Sequence, residues 1–136
     1  MTQPLYPTDS YLQSFSTSVS GAFPEEHAVT LDQTAFYPGG GGQPCDLGQL
    51  IAPGVIYPVV KAKKINGEHW HFIDPESPLP EVGKVLQGQI DWMRRYQLMR
   101  THTALHVLCG VVFRDYGALV TGGDMDPLQG RMDFEF

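Results

Sequence analysis

The sequence predicts an α+β protein, with about ninety residues of strands and turns followed by one long helix that opens an α+β unit. Three observations lead there. Glycine and proline supply 26 of the 136 residues, well above the usual ~12%, so turns and extended pieces should outnumber helices. Asn66-Gly67 stands between two β-prone runs, a strong hairpin signal. At Trp92 the pattern changes, and Trp92 to Asp115 holds no proline and one glycine.

The elements follow in order. Ser10 to Ser20 is rich in Ser, Thr, Tyr and Phe and partly alternates, which predicts a strand. His27 to Leu31 predicts a second strand after the breaks at Gly21 and Pro24. Asp32 to Pro44 contains Gly39 to Gly42, and four successive glycines predict a loop. Val55 to Ala62 and His69 to Ile73 flank the Asn66-Gly67 turn. Residues 74 to 83 carry three prolines and form a loop, and Lys84 to Asp91 is a further strand. In the helix, Met99, Leu105, Val107, Leu108, Val111 and Val112 recur at spacings of three and four, which predicts a largely buried element ended by Gly117. A short strand at 118 to 121 follows. Gly130 to Phe136 alternates Met132, Phe134 and Phe136 with Arg131, Asp133 and Glu135, a half-buried strand. The pattern stops inside that strand, so the expectation is a fragment, or a domain whose remainder is absent or comes from elsewhere.

Composition excludes several classes. Hydrophobic residues at 42% and charged residues at 18% describe a chain that buries a core. A net charge of −6 argues against coating nucleic acid by bulk charge, though not against a local basic patch. Lys61, Lys63 and Lys64 form one such cluster, and Arg94, Arg95 and Arg100 another on the helix. These are candidate phosphate contacts or simply solvated faces. Two cysteines, Cys45 and Cys109, are too few for a disulfide framework. No run approaches the ~18 apolar residues of a membrane span, and MTQPLYPTDS lacks the features of a secretory signal, so a cytoplasmic location is expected.

His102 and His106 carry the most chemistry. Four residues apart on a helix, both imidazoles share one face and can share a zinc ion through neutral ring nitrogens. The alternative is a structural pair. Thr103 stands where a zinc metalloprotease has its glutamate base, which sets peptide hydrolysis aside. His69 and His71, on the hairpin beside Trp70, read as exposed bystanders. The glycine run is neither a Walker loop nor a dinucleotide fingerprint. It is a floppy connection or a place where backbone approaches another surface.

Together, LDQTAFYPGGGGQPCDLG and RRYQLMRTHTALHVL closely resemble the AlaX family of trans-editing proteins, free-standing relatives of the alanyl-tRNA synthetase editing domain. The resemblance covers roughly residues 26 to 136. It implies a small N-terminal β-barrel with the glycine-rich motif over residues 1–88, and the first part of a zinc-dependent α+β editing domain over 89–136. It implies hydrolysis of mischarged tRNA(Ala), seryl- and glycyl-tRNA chiefly, by a zinc-activated water. By the same resemblance, His102 and His106 correspond to the first two zinc ligands. Thr34 corresponds to a threonine that senses the serine hydroxyl, and Gln43 to the glutamine of the glycine-rich motif. Beside these, Gly40, Gly41 and Gly42, by close backbone approach, and Arg100, as a phosphate contact, are the candidate substrate-binding residues. The family's remaining ligands, a Cys-x-x-x-His, have no counterpart here. A non-catalytic tRNA-binding module without a complete metal site is the second reading.

Overall fold

The computed structural model describes residues 2–7, 12–40 and 43–135, with backbone alone at 119–122 and 135. The described strands open with β1 (Gln3–Pro4), β2 (Ser14–Phe23), β3 (Ala28–Leu31) and β4 (Gln33–Thr34). They continue with β5 (Gly48–Ala52), β6 (Val55–Ile65), β7 (Glu68–Ile73) and β8 (Val85–Ile90). Six of them form a closed barrel in the order β2-β3-β7-β6-β5-β8, with β8 returning to β2. Every pairing in it is antiparallel. Closure leaves no strand edge open to a second chain.

Period-two patterning explains the walls. Leu86, Gly88 and Ile90 of β8 are buried while Val85, Gln87 and Gln89 are exposed, and β2 turns Phe15, Thr17 and Val19 inward. Phe15 and Gly88 are cross-strand partners, and a Cβ at Gly88 would overlap the Phe15 ring. Glycine therefore makes room for the aromatic. Phe15, Val29, Leu31, Phe36, Leu50, Val59, Ile73 and Leu86 are among the apolar side chains that meet in the interior. Each contributes about 1.5–3 kcal/mol relative to exposure.

The β6–β7 hairpin turns at Asn66 and Gly67, with φ of 50° and 82°. Both values are positive, as a two-residue turn of this hand requires. Strand β5 was not anticipated from the sequence. Its five residues, GQLIA, are held by pairing to β6 and β8 on either side rather than by a pattern of their own.

The orientation of β7 corrects an expectation. His69, His71 and Ile73 point inward, while Glu68, Trp70 and Phe72 are half-exposed. The histidines read as exposed are 4% and 0% exposed. Alternation fixes which residues share a face, not which face is inside. Trp70 is accommodated outside by stacking on Phe23 at 4.2 Å.

The N-terminal residues form a strap on the barrel. Strand β1 runs parallel to β4, with Gln3 N–H bonded to Asp32 O and Leu5 N–H to Thr34 O. The Thr2 hydroxyl donates to Leu31 O at 2.6 Å.

After the barrel comes α1 (Trp92–Tyr116), then β9 (Leu119–Asp126) and β10 (Gln129–Glu135), which pair as an antiparallel hairpin. Gly117, at φ 67°, caps the helix, and its N–H reaches Phe113 O at 2.8 Å. Along one row of α1, Thr101 accepts the Leu128 N–H at 2.9 Å, Leu105 packs against Gly130, and Cys109 lies 3.7 Å from the Met132 sulfur. The other rows correct the expected largely buried helix. Val107 is 63% exposed and Phe113 56%, and Met93 and Leu108 are exposed as well. A two-stranded hairpin covers only one side of a helix. No helix among the described residues is long and apolar enough to cross a membrane. The chain divides into two compact units, Met1–Gly39 with Cys45–Asp91, and Gly40–Pro44 with Trp92–Phe136.

Candidate functional site

His102 and His106 occupy one exposed face of α1, separated by a single turn. Their Nε2 atoms stand 2.9 Å apart and their ring centroids 4.4 Å. At that distance one ring donates a hydrogen bond to the other. Two nitrogens bound to one tetrahedral zinc at ~2.05 Å would be separated by about 3.3 Å. The observed spacing lies within a small ring rotation of that value. Among the described residues no group of three or more His, Cys, Asp or Glu is placed to hold an ion. The pair fits half of a four-ligand site.

Both cysteines have contacts within their own units. Cys109 meets Met132 at the hairpin. Cys45 packs against the barrel core and its sulfur accepts the Ala62 N–H at 3.4 Å.

The glycine-rich loop is closed at both ends by backbone bonds. At its root, Tyr37 N–H donates to the Asp46 carboxylate at 2.8 Å, and Asp46 N–H donates to Tyr37 O at 2.9 Å. At its tip, Gly40 and Gln43 exchange both N–H···O bonds, at 2.9 and 3.0 Å. Each of these N–H groups is engaged by the other residue's carbonyl oxygen. Gly41 and Gly42, expected to bind substrate, lie outside the described residues. Gly40 takes φ 130° and a Cβ there would meet nothing within 4 Å. Backbone conformation, rather than close approach within this chain, is what requires glycine at this position.

Thr34 lies inside the barrel with no exposed surface. Its hydroxyl is 2.8 Å from His71 Nε2 and accepts the Phe36 N–H at 3.1 Å. His71 Nδ1 faces Val29 O at 3.3 Å. The consistent tautomer has Nδ1–H donating to Val29 and Nε2 accepting from Thr34. Burial pushes the His71 pKa down to about 4, against a smaller upward pull from Val29 O. The imidazole is therefore neutral at pH 7. The sequence reading brought the Thr34 hydroxyl to a substrate; here it has two intramolecular partners.

His71 escaped the sequence reading as a member of this cluster. The available signal was the strand EHWHFI, in which imidazoles alternate with large aromatics. His69 is lowered too, by burial and then by Lys64. It meets the Tyr6 hydroxyl at 2.8 Å.

The basic residues divide. Lys61, Lys63 and Lys64 are exposed on β6, with the Lys61 ammonium 5.6 Å over the Phe72 ring. Arg100 is exposed on α1, two residues before His102. Arg95 is 6% exposed, which removes it from the expected phosphate contacts.

Comparison with known proteins follows the same features. Residues 11–94 match the family described as tRNA synthetases class II (A). An alanyl-tRNA editing protein AlaX-M of Methanosarcina mazei is 43% identical over 140 residues, taking in 98% of this chain and 55% of that protein. The AlaX-M protein of Saccharolobus solfataricus is 45% identical over 136 residues, 98% of this chain and 56% of its own length. An alanine–tRNA ligase of Ignicoccus hospitalis is 38% identical over 135 residues, 98% of this chain and 14% of that enzyme. The chain thus spans little more than half the length of the AlaX-M relatives it matches. With a closed barrel, a glycine-rich loop and a helix bearing paired histidines, the chain belongs to the class II (A) tRNA synthetase family and, within it, to the AlaX type.

Proposed function

We propose that this chain is the barrel and the first metal-bearing part of a trans-editing deacylase that hydrolyses mischarged tRNA(Ala), seryl- and glycyl-tRNA foremost. The observation that carries the reading is the exposed His102–His106 pair with Nε2 atoms 2.9 Å apart, in a chain 43% identical to a protein named for alanyl-tRNA editing. His102 and His106 would hold zinc, and two further donors would complete the tetrahedral site. When bound, the metal supplies a water of lowered pKa for ester hydrolysis.

This chain's own residues have the remaining roles. Arg100, exposed on α1, is suited to a phosphate of the tRNA. Gln43, held in place by its two backbone bonds to Gly40, offers a carboxamide that both donates and accepts. The selectivity role of Thr34 requires its hydroxyl to leave His71 when substrate arrives, since a site that pairs a serine hydroxyl rejects the methyl of alanine only if the pairing group is otherwise unmet.

A second reading is supported by the exposed lysine row of β6, which suits RNA contact whether or not a metal binds. The two readings separate in one experiment. Hydrolysis of seryl-, glycyl- and alanyl-tRNA(Ala) is followed with this chain alone and with the chain completed by the residues the AlaX-M relatives carry outside the matched region. Metal-dependent loss of the seryl ester in the completed protein, abolished by His106→Ala, supports the deacylase. Binding of tRNA without hydrolysis in both forms supports the module.

A further inference from the structure

We propose that Tyr6 is a positioning residue for the root of the glycine-rich loop, acting through the N-terminal strap. Two contacts meet at this side chain, and two further bonds link its neighbours to the loop root. Its hydroxyl is 2.8 Å from His69 Nε2. Its ring packs edge-on against Tyr37 at a centroid distance of 5.4 Å and an interplanar angle of 86°. The residue before it, Leu5, donates its N–H to Thr34 O at 2.7 Å. And Tyr37 is one half of the Tyr37–Asp46 clamp that closes the loop root.

The geometry gives a direct mechanical path. Strap residues Thr2, Gln3 and Leu5 bond successively to Leu31, Asp32 and Thr34, the segment that runs into Phe36 and Tyr37. Tyr6 then leaves the strap and supports Tyr37 from the side. His69 anchors Tyr6 in turn. It is 4% exposed, and its Nδ1 has no hydrogen-bond partner, so the Tyr6 hydroxyl is the partner that its Nε2 keeps. Deleting that hydroxyl leaves a buried imidazole unpaired at both nitrogens, which favours the arrangement with Tyr6 in place. The functional importance of the loop rests on the reading given above; the mechanical claim does not.

Amide hydrogen exchange in the 136-residue chain tests it. The reporters are the Tyr37 and Asp46 amides of the clamp, the Leu5 amide of the strap, and Ile73 and Ile90 of the barrel core. In Tyr6→Ala, exchange at Tyr37 and Asp46 is expected to rise roughly ten- to hundredfold while Ile73 and Ile90 stay unchanged. In Tyr6→Phe the edge-on contact remains while the bond to His69 is lost, so exchange at Tyr37 and Asp46 is expected to fall between wild type and Tyr6→Ala. Faster exchange confined to Leu5 in Tyr6→Ala would overturn the proposal, because the strap would then be a cover only. A uniform rise including Ile73 and Ile90 would overturn it as well, by making Tyr6 a general stabiliser. No ester is hydrolysed in this experiment, so its outcome is separate from that of the deacylase assay.

Discussion

The Thr34 hydroxyl and His71 Nε2 lie 2.8 Å apart inside a closed barrel, and neither residue has exposed surface. Each satisfies the other, and Phe36 N–H takes the threonine's second interaction. Thr34→Val keeps the shape and strands the imidazole acceptor. The expected cost is about 1–3 kcal/mol, read as a lower denaturation midpoint with an unchanged slope. Thr34→Ser should restore most of it. In a protein with a complete editing site, the seryl-to-alanyl hydrolysis ratio is measured on the same variant. A stability loss with an unchanged ratio assigns Thr34 to the barrel alone.

The neutral state of His71 predicts a pH dependence. Its pKa falls from 6.5 to about 4 on folding, so between those values the unfolded chain binds a proton that the folded chain does not. Stability is full above about pH 6.5 and declines as the pH falls toward about 4, by on the order of 3 kcal/mol. His69, lowered by burial, acts in the same direction. Asp32 acts in the same direction, in a lower pH range. Hydrogen bonds from Ser18 and Thr17 hold its carboxyl below the usual value, so its contribution is lost only at still lower pH. Denaturant midpoints across pH 4 to 7 check the slope, which His71→Gln should flatten.

Zinc retention checks the paired histidines. In a protein carrying four ligands, His102→Ala or His106→Ala should each abolish bound zinc by elemental analysis. The 136-residue chain should bind zinc weakly, with imidazole resonances of His102 and His106 shifting together on titration. Full zinc stoichiometry in both alanine variants of the complete protein would falsify the assignment.

The lysine row of β6 has its own signature. Lys63 and Lys64 are exposed, so Lys63→Glu/Lys64→Glu should leave thermal unfolding unchanged. If both touch RNA phosphates, tRNA affinity falls and the slope of log K against log salt drops by about one per contact. An unchanged slope moves the RNA to another face, with Arg100 the next candidate.

Elements with strong local chemistry were readable in the chain. Asn66-Gly67 makes its turn because those two residues tolerate positive φ, and it does so wherever flanking strands pair. The helix from Trp92 and its stop at Gly117 follow from an uninterrupted run and a left-handed cap. The glycine run excluded regular structure by conformational cost alone. The AlaX motifs were readable for the same reason, as contiguous residues in fixed order.

Tertiary structure settled whatever depended on distant partners. Closure of the barrel rests on β8 pairing with both β2 and β5, a relationship with no local signature. The side of β7 that faces inward was decided by Thr34 and Val29, which His71 meets across 37 and 42 residues of chain. The burial expected along α1 failed for a related reason. Periodicity marks an apolar face, but only a packed neighbour buries it, and the β9–β10 hairpin reaches one row of the helix. Local propensity acts within a few residues, whereas hydrogen-bond satisfaction and burial are properties of the assembled fold.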